Sequence, residues 1–196
     1  MPNYKLPESC LICLPALTTL CLDRVELQGT LSSFSLPVTS LSMKRCNFSE
    51  TVWGFVALSN LHLDIDVLHT KKKSDCFSGL DNLRNLTLNF STRIITSFFI
   101  SCPELVNLKI IAPCTTRTSE IVVVAPKLRE VYCVSIFEVT LSAHELENVI
   151  LKLRDANYEL NLATKSGNKF IYSRLIPMFS KLGCAKILTI ECNGKN

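Results

Sequence analysis

The side chains that could do chemistry are few and scattered. Only 3 histidines, His62, His69 and His144, occur among the 196 residues. Cys10 and Cys13 stand at zinc-ligand spacing, but no second CxxC or HxxxH follows to complete a finger. Asp64 and Asp66 would share one face of a strand, yet calcium needs several more oxygen ligands than this pair supplies. His144, Glu145 and Glu147 surround Leu146 and read as a solvated approach to a strand. No GxSxG, HExxH, Walker loop or GxGxxG is present, and 6 glycines leave little for a phosphate-cradling loop. The expectation is a non-catalytic chain with no cofactor-binding and no metal-ligating residues.

Charge and cysteine usage narrow the partners. The 21 basic and 17 acidic residues give +4, spread along the chain. That is not the basic stripe of a nucleic-acid binder, so no nucleic acid is expected. The run Lys71-Lys72-Lys73 reads as a solvated loop. No apolar stretch reaches the roughly 18 uninterrupted residues of a spanning helix, so no membrane partner is expected. Residues 10–22 (CLICLPALTTLCL) resemble the apolar part of a signal peptide, but Pro15, the preceding Glu8 and the missing cleavage site argue against one. Among the 10 cysteines, Cys21, Cys46, Cys102 and Cys133 sit inside apolar patterns, where a free thiol behaves as a small hydrophobe. Reduced thiols fit the cytoplasm or nucleus. The alternative is a secreted or receptor-like repeat protein, with disulfides and with glycans on the sequons at Asn47, Asn85 and Asn89.

The organisation of the chain is a repeat. The pattern L-x-x-L-x-L occurs at residues 17–22 (LTTLCL), 38–43 (VTSLSM), 58–63 (LSNLHL), 83–88 (LRNLTL), 105–110 (LVNLKI), 128–133 (LREVYC) and 146–151 (LENVIL). The central apolar positions are 20, 41, 61, 86, 108, 131 and 149, a spacing of 18 to 25 residues. This is close to the period of leucine-rich repeats. Each L-x-L is a short strand whose two apolar residues point inward while the residue between them points out. One unit cannot bury its apolar edge alone, and stacked units share a core. The spacing therefore predicts an α/β fold, an irregular leucine-rich-repeat solenoid. A curved parallel sheet forms its concave side, and short helices and loops form the other. Residues 1–196 make one leucine-rich-repeat domain of about eight or nine irregular units.

The returns are less regular. Residues 92–101 (TRIITSFFIS) and 50–58 are the expected helical returns. Residues 158–162 read as a further strand, residues 171–182 as a helix bent at Pro177, and residues 187–190 as a final strand. A regular leucine-rich repeat carries Asn or Cys three residues past its last strand leucine, to bond the backbone of the turn. Here that column reads Val25, Cys46, Asp66, Ser91, Pro113, Ile136 and Arg154, and only Cys46 fits.

Function is then expected on the outward face of the strands. Alternation places Asn60, His62 and Asp64 of the third unit there, with Asn85, Thr87 and Asn89 of the fourth. Asn107, Lys109 and Ile111 of the fifth and Glu130, Tyr132 and Val134 of the sixth follow. The Asn-rich part suits hydrogen bonding to a protein or a small ligand. The apolar and aromatic part suits a partner site.

Four phrases resemble the large plant family of F-box proteins with leucine-rich repeats. Residues 6–25 (LPESCLICLPALTTLCLDRV) resemble the segment that opens the repeats of that family. Residues 101–110 (SCPELVNLKI) are similar to its CP-x-L-x-x-L unit, residues 125–131 (APKLREV) to its AP-x-L unit, and residues 182–190 (LGCAKILTI) to its late A-K-x-L-T strand. The resemblance implies the substrate-binding repeat region of a ubiquitin-ligase receptor, with a protein substrate on the concave face. The adaptor-docking F-box is not in this sequence. Few residues precede the first repeat, no LSKRW-like stretch occurs, and the single tryptophan is Trp53. A Skp-type adaptor is implied only if an F-box lies upstream.

Overall fold

The sequence repeats become strands of one parallel sheet. The computed structural model describes residues 4–7, 10–11, 13–28, 37–46, 55–65, 77, 79–90, 94–95, 98–112, 117–118, 121–134, 139–154, 182 and 184–193. Their strands are β1 (Tyr4–Pro7), β2 (Thr19–Asp23), β3 (Val25–Gln28), β4 (Ser40–Lys44), β5 (Asn60–Ile65), β6 (Asn85–Phe90), β7 (Ile94–Ile95), β8 (Phe98–Ser101), β9 (Asn107–Ile111), β10 (Arg117–Thr118), β11 (Ile121–Val124), β12 (Glu130–Val134), β13 (Val139–Ser142), β14 (Asn148–Arg154) and β15 (Ile187–Asn193). The largest sheet has 8 strands in the order β15-β14-β12-β9-β6-β5-β4-β2. Every pairing in it is parallel. Its register aligns Leu20, Leu41, Leu61, Leu86, Leu108, Val131, Val149 and Leu188 in one row. The seven central positions of the repeat and the expected final strand thus stand side by side.

In the middle coils the described part of the return is also strand. In the middle of the chain β8, β11 and β13 form a second parallel sheet, and β7 pairs with β10 at the corner between the two sheets. At the N-terminal end β1 pairs with β3. The chain is therefore a parallel β-solenoid, which corrects the expected α/β class with helices on the far side. The expected helical return over residues 92–101 is two strands, β7 and β8. Of residues 50–58, the described part, 55–58, is a turn. The physical reason lies in composition and length. The returns are rich in Ile, Val, Phe and Thr, which fit a pleated surface. Returns this short would also hold only marginal helices, whereas parallel stacking pairs their backbone groups with the next coil. The expected strand over residues 158–162 lies outside the described residues, as does the helix over residues 171–182 apart from Leu182.

Several coils enter their front strand through the same turn. Leu58, Leu83, Leu105 and Leu128 donate their N–H to the carbonyls of Phe55, Leu80, Cys102 and Ala125, and Leu17 does the same to Leu14. Pro15, Pro103 and Pro126 occupy the second turn position, where a fixed φ favours the turn. That is the physical content of the CP-x-L and AP-x-L phrases. Just past the turn one carbonyl accepts two N–H groups from the next coil. Thr18 accepts from Thr39 and Ser40, Thr39 from Ser59 and Asn60, and the pattern continues through Ser59, Arg84, Val106, Arg129 and Glu147. This relay transmits the register from coil to coil. Arg24 and Arg45 directly follow β2 and β4 with φ of 57° and 53°. That left-handed geometry turns the chain out of the sheet at the same place in two successive coils.

All three apolar positions of the repeat face the core. Leu58, Leu83, Leu105, Leu128 and Leu146 are buried, together with Leu61, Leu63, Leu86, Leu88, Leu108 and Ile110 of the front strands. Ile100, Ile121, Val123 and Val139 close the core from the second sheet. The two ends differ. Leu22 is 6% exposed, whereas Leu188 and Ile190, in the corresponding inward row of β15, are 44% and 47% exposed. The first repeat is the better covered of the two.

The cysteines divide by place. Cys102 and Cys133 are buried, Cys46 is half-buried, and Cys10, Cys13, Cys21 and Cys184 are exposed as free thiols. Cys21 stands outward on β2, between the inward Leu20 and Leu22, and so is not a core residue. Burial pushes the Cys133 thiol up to about 12. Above the ordinary thiol range an unfolded chain ionises this group while the folded one does not. Cys133 therefore removes stability as pH rises from about 9 toward 12. A thiol-reactive dye should label Cys21 in the native protein at once. Cys102 and Cys133 should react only as the chain unfolds globally. Rapid native labelling of Cys133, read by mass spectrometry, would contradict this packing.

Candidate functional site

The outward face of the front sheet holds a row of asparagines joined to one another. Asn60, Asn85 and Asn107 are register partners on β5, β6 and β9. Asn85 Nδ2 donates to Asn60 Oδ1 at 2.6 Å, and Asn107 Nδ2 donates to Asn85 Oδ1 at 2.6 Å. Asn60 Nδ2 ends the row on Ser59 Oγ at 3.0 Å. Parallel neighbours stand about 4.8 Å apart, which lets one amide reach the next. Such ladders are known to reinforce stacked parallel strands. These amides were expected to serve a partner, and the donors of Asn85 and Asn107 serve the solenoid instead.

A second network lies beside the first. Asp64 Oδ1 takes His62 Nε2 at 3.0 Å and Asn89 Nδ2 at 2.9 Å. Ser42 is the register partner of His62, which puts a hydroxyl, an imidazole and a carboxylate in one region. No hydrogen bond joins Ser42 to His62 among the described residues, so the hydroxyl is not held by a base as an activated nucleophile must be.

Further toward β15 the face opens into a groove of about 470 Å³. Its walls come from β6, β9, β12, β14 and β15, with Asn85, Thr87, Asn107, Lys109, Glu130 and Tyr132 of the expected set among the lining residues. Asn148, Ile150, Ile187 and Thr189 complete it. These four were not among the expected site residues. Asn148 and Ile150 occupy the same two outward columns one strand on, and Ile187 and Thr189 join them once Leu188 is aligned with Val149.

Tyr132 is the aromatic centre of the groove. Lys109 Nζ lies 5.1 Å and Lys152 Nζ 5.6 Å from the ring centroid, within cation–π range. Lys152 also bonds Glu191 at 2.7 Å, and that hydrogen bond holds its ammonium above the usual lysine range. Val134 corrects the expectation of an exposed face at this level, since it is only 3% exposed. Ile111 and Lys152 flank it in register on β9 and β14. His62, Asp64, Asn89 and Ile111 lie on the same face outside the groove, half-buried.

The turn edge carries inter-coil ion pairs. Lys127 bonds Glu104 at 2.6 Å, Arg129 bonds Glu145 at 3.0 Å and Lys186 bonds Glu147 at 2.9 Å. The Lys186 hydrogen bond holds the Glu147 carboxyl below its usual range. All are exposed pairs of small energetic weight. Among the described residues no group of three or more His, Cys, Asp or Glu is placed to hold a metal ion. Comparison with protein-family models, with curated proteins and with solved structures finds no match to the chain.

Proposed function

We propose that this chain is a non-catalytic protein-recognition scaffold of the leucine-rich-repeat kind, and that it holds a peptide segment of its partner in the groove around Tyr132. The observation that carries this reading is the groove itself, a space of about 470 Å³ built from five adjacent strands around an aromatic side chain. Tyrosine in a part-desolvated setting is a common anchor of protein interfaces. The leucine-rich-repeat reading is supported by the three-position apolar register and by Cys46. The Cys46 thiol points at the carbonyls of Lys44 at 3.3 Å and Leu22 at 3.7 Å. That is the turn-bonding role the repeat gives this position. In this reading the chain acts as the substrate-binding half of an F-box receptor in the cytoplasm or nucleus, and a Skp-type adaptor joins only through an F-box upstream.

Peptides selected from a random phage-displayed library on the full chain test this. Their affinity should fall about 30-fold for Tyr132→Ala, the loss expected of an interface anchor, with the melting temperature little changed. Peptides that bind Tyr132→Ala as tightly as the parent chain would contradict the reading.

The side-chain networks make a prediction that runs against the secreted alternative. Asn85 Nδ2 is engaged with Asn60 and Asn89 Nδ2 with Asp64, both half-buried. Expression through a secretory pathway should therefore leave both sequons without glycan, as intact mass would show. Occupancy at either would contradict the ladder geometry. Asn47 lies outside the described residues.

A further inference from the structure

The asparagine ladder has a direction, and its direction leaves an acceptor-rich gap in the groove. Each amide donates toward the N-terminal end, from Asn107 to Asn85, from Asn85 to Asn60 and from Asn60 to Ser59. The Oδ1 of Asn107 is therefore the open end of the row, facing β12. The register partner there is Glu130, and beyond it stands Asn148. An asparagine at position 130 would carry the ladder through to Asn148, but a glutamate meets Asn107 with acceptors only. Glu130 is exposed, and among the described residues no ion pair reaches it. Lys109, the cation among the groove-lining residues, lies over the Tyr132 ring instead. A position that breaks an otherwise consistent local pattern, inside a groove, is where function is expected to override stability.

We propose that this gap reads a basic side chain, so that the groove takes an extended peptide segment whose Arg or Lys is bound by the Glu130 carboxylate with the amide oxygen of Asn107. A guanidinium or ammonium supplies the donors that the Glu130 carboxylate and the Asn107 oxygen lack, and its charge complements Glu130. The peptide's neighbouring apolar residue packs on Ile150 and the Tyr132 ring. This inference rests on the groove being a peptide site.

An array of acetylated, amidated nonapeptides with random flanks tests it, the central residue fixed in turn as Arg, Lys, Gln, Leu or Glu. The full chain should be retained at least about tenfold better by the Arg and Lys pools than by the Gln and Leu pools, the scale of one charge-assisted hydrogen bond. Glu130→Gln should abolish that preference while keeping retention by the Gln pool. The chain carries +4, so non-specific attraction favours the Glu pool and cannot mimic this result. Equal retention of all pools, preference for Glu, or a basic preference that survives Glu130→Gln would overturn the inference and leave the peptide-site reading standing. Retention of no pool would overturn both.

Discussion

Leu86→Ala is expected to lower the unfolding free energy by about 2–5 kcal/mol, the cost of removing a leucine from a packed interior. Leu86 is 1% exposed and sits between Leu61 and Leu108 in the inward row of the sheet. A cavity there touches three coils at once, and a solenoid has only neighbouring coils to close it. The control is Thr87→Ala, one residue on and facing outward, which should cost less than about 1 kcal/mol. Urea unfolding of both variants decides the matter. A Thr87→Ala loss equal to that of Leu86→Ala would mean that the two faces of β6 are wrongly assigned.

Asn85→Ala should be more damaging than Asn107→Ala. It removes both the acceptor of Asn107 Nδ2 and the donor to Asn60 Oδ1. Two half-buried amide groups are left without partners, at about 1–3 kcal/mol in all. Asn107→Ala breaks only one of the two bonds and should cost roughly half as much. The ratio carries the information, since a ladder predicts that its middle member matters most. Equal small losses at both positions in urea melts would show that the amides contribute singly and not as a row.

The front sheet was legible because each strand carries the same three apolar positions, and a parallel register is the only arrangement that stacks all of them. The second sheet was not. In residues 92–101 the apolar side chains fall at Ile94, Ile95, Phe98, Phe99 and Ile100, and the pairs 94/98 and 95/99 have a spacing of four that imitates one face of a helix. The spacing comes from two short strands separated by a corner, β7 and β8, each too short to show an alternation. The asparagine column was visible in the sequence, but its use was not. Whether an amide serves a ligand or the next coil depends on a neighbour some 20 residues away. The groove was half visible for the same reason. Lys109 and Tyr132 fall in one outward column, whereas the burial of Val134, an outward position by alternation, is not encoded there.

Lysine footprinting tests most directly whether this groove is the recognition surface. The full chain is acetylated with and without a peptide selected for Tyr132-dependent binding, and each lysine is quantified by mass spectrometry. Lys109 lines the groove, Lys44 stands on the same face three strands away on β4, and Lys127 lies on the turn edge, paired with Glu104. The account predicts that bound peptide slows acetylation of Lys109 severalfold and leaves Lys44 and Lys127 unchanged. Protection of Lys127 with Lys109 still fully reactive would place recognition on the turn edge and contradict it.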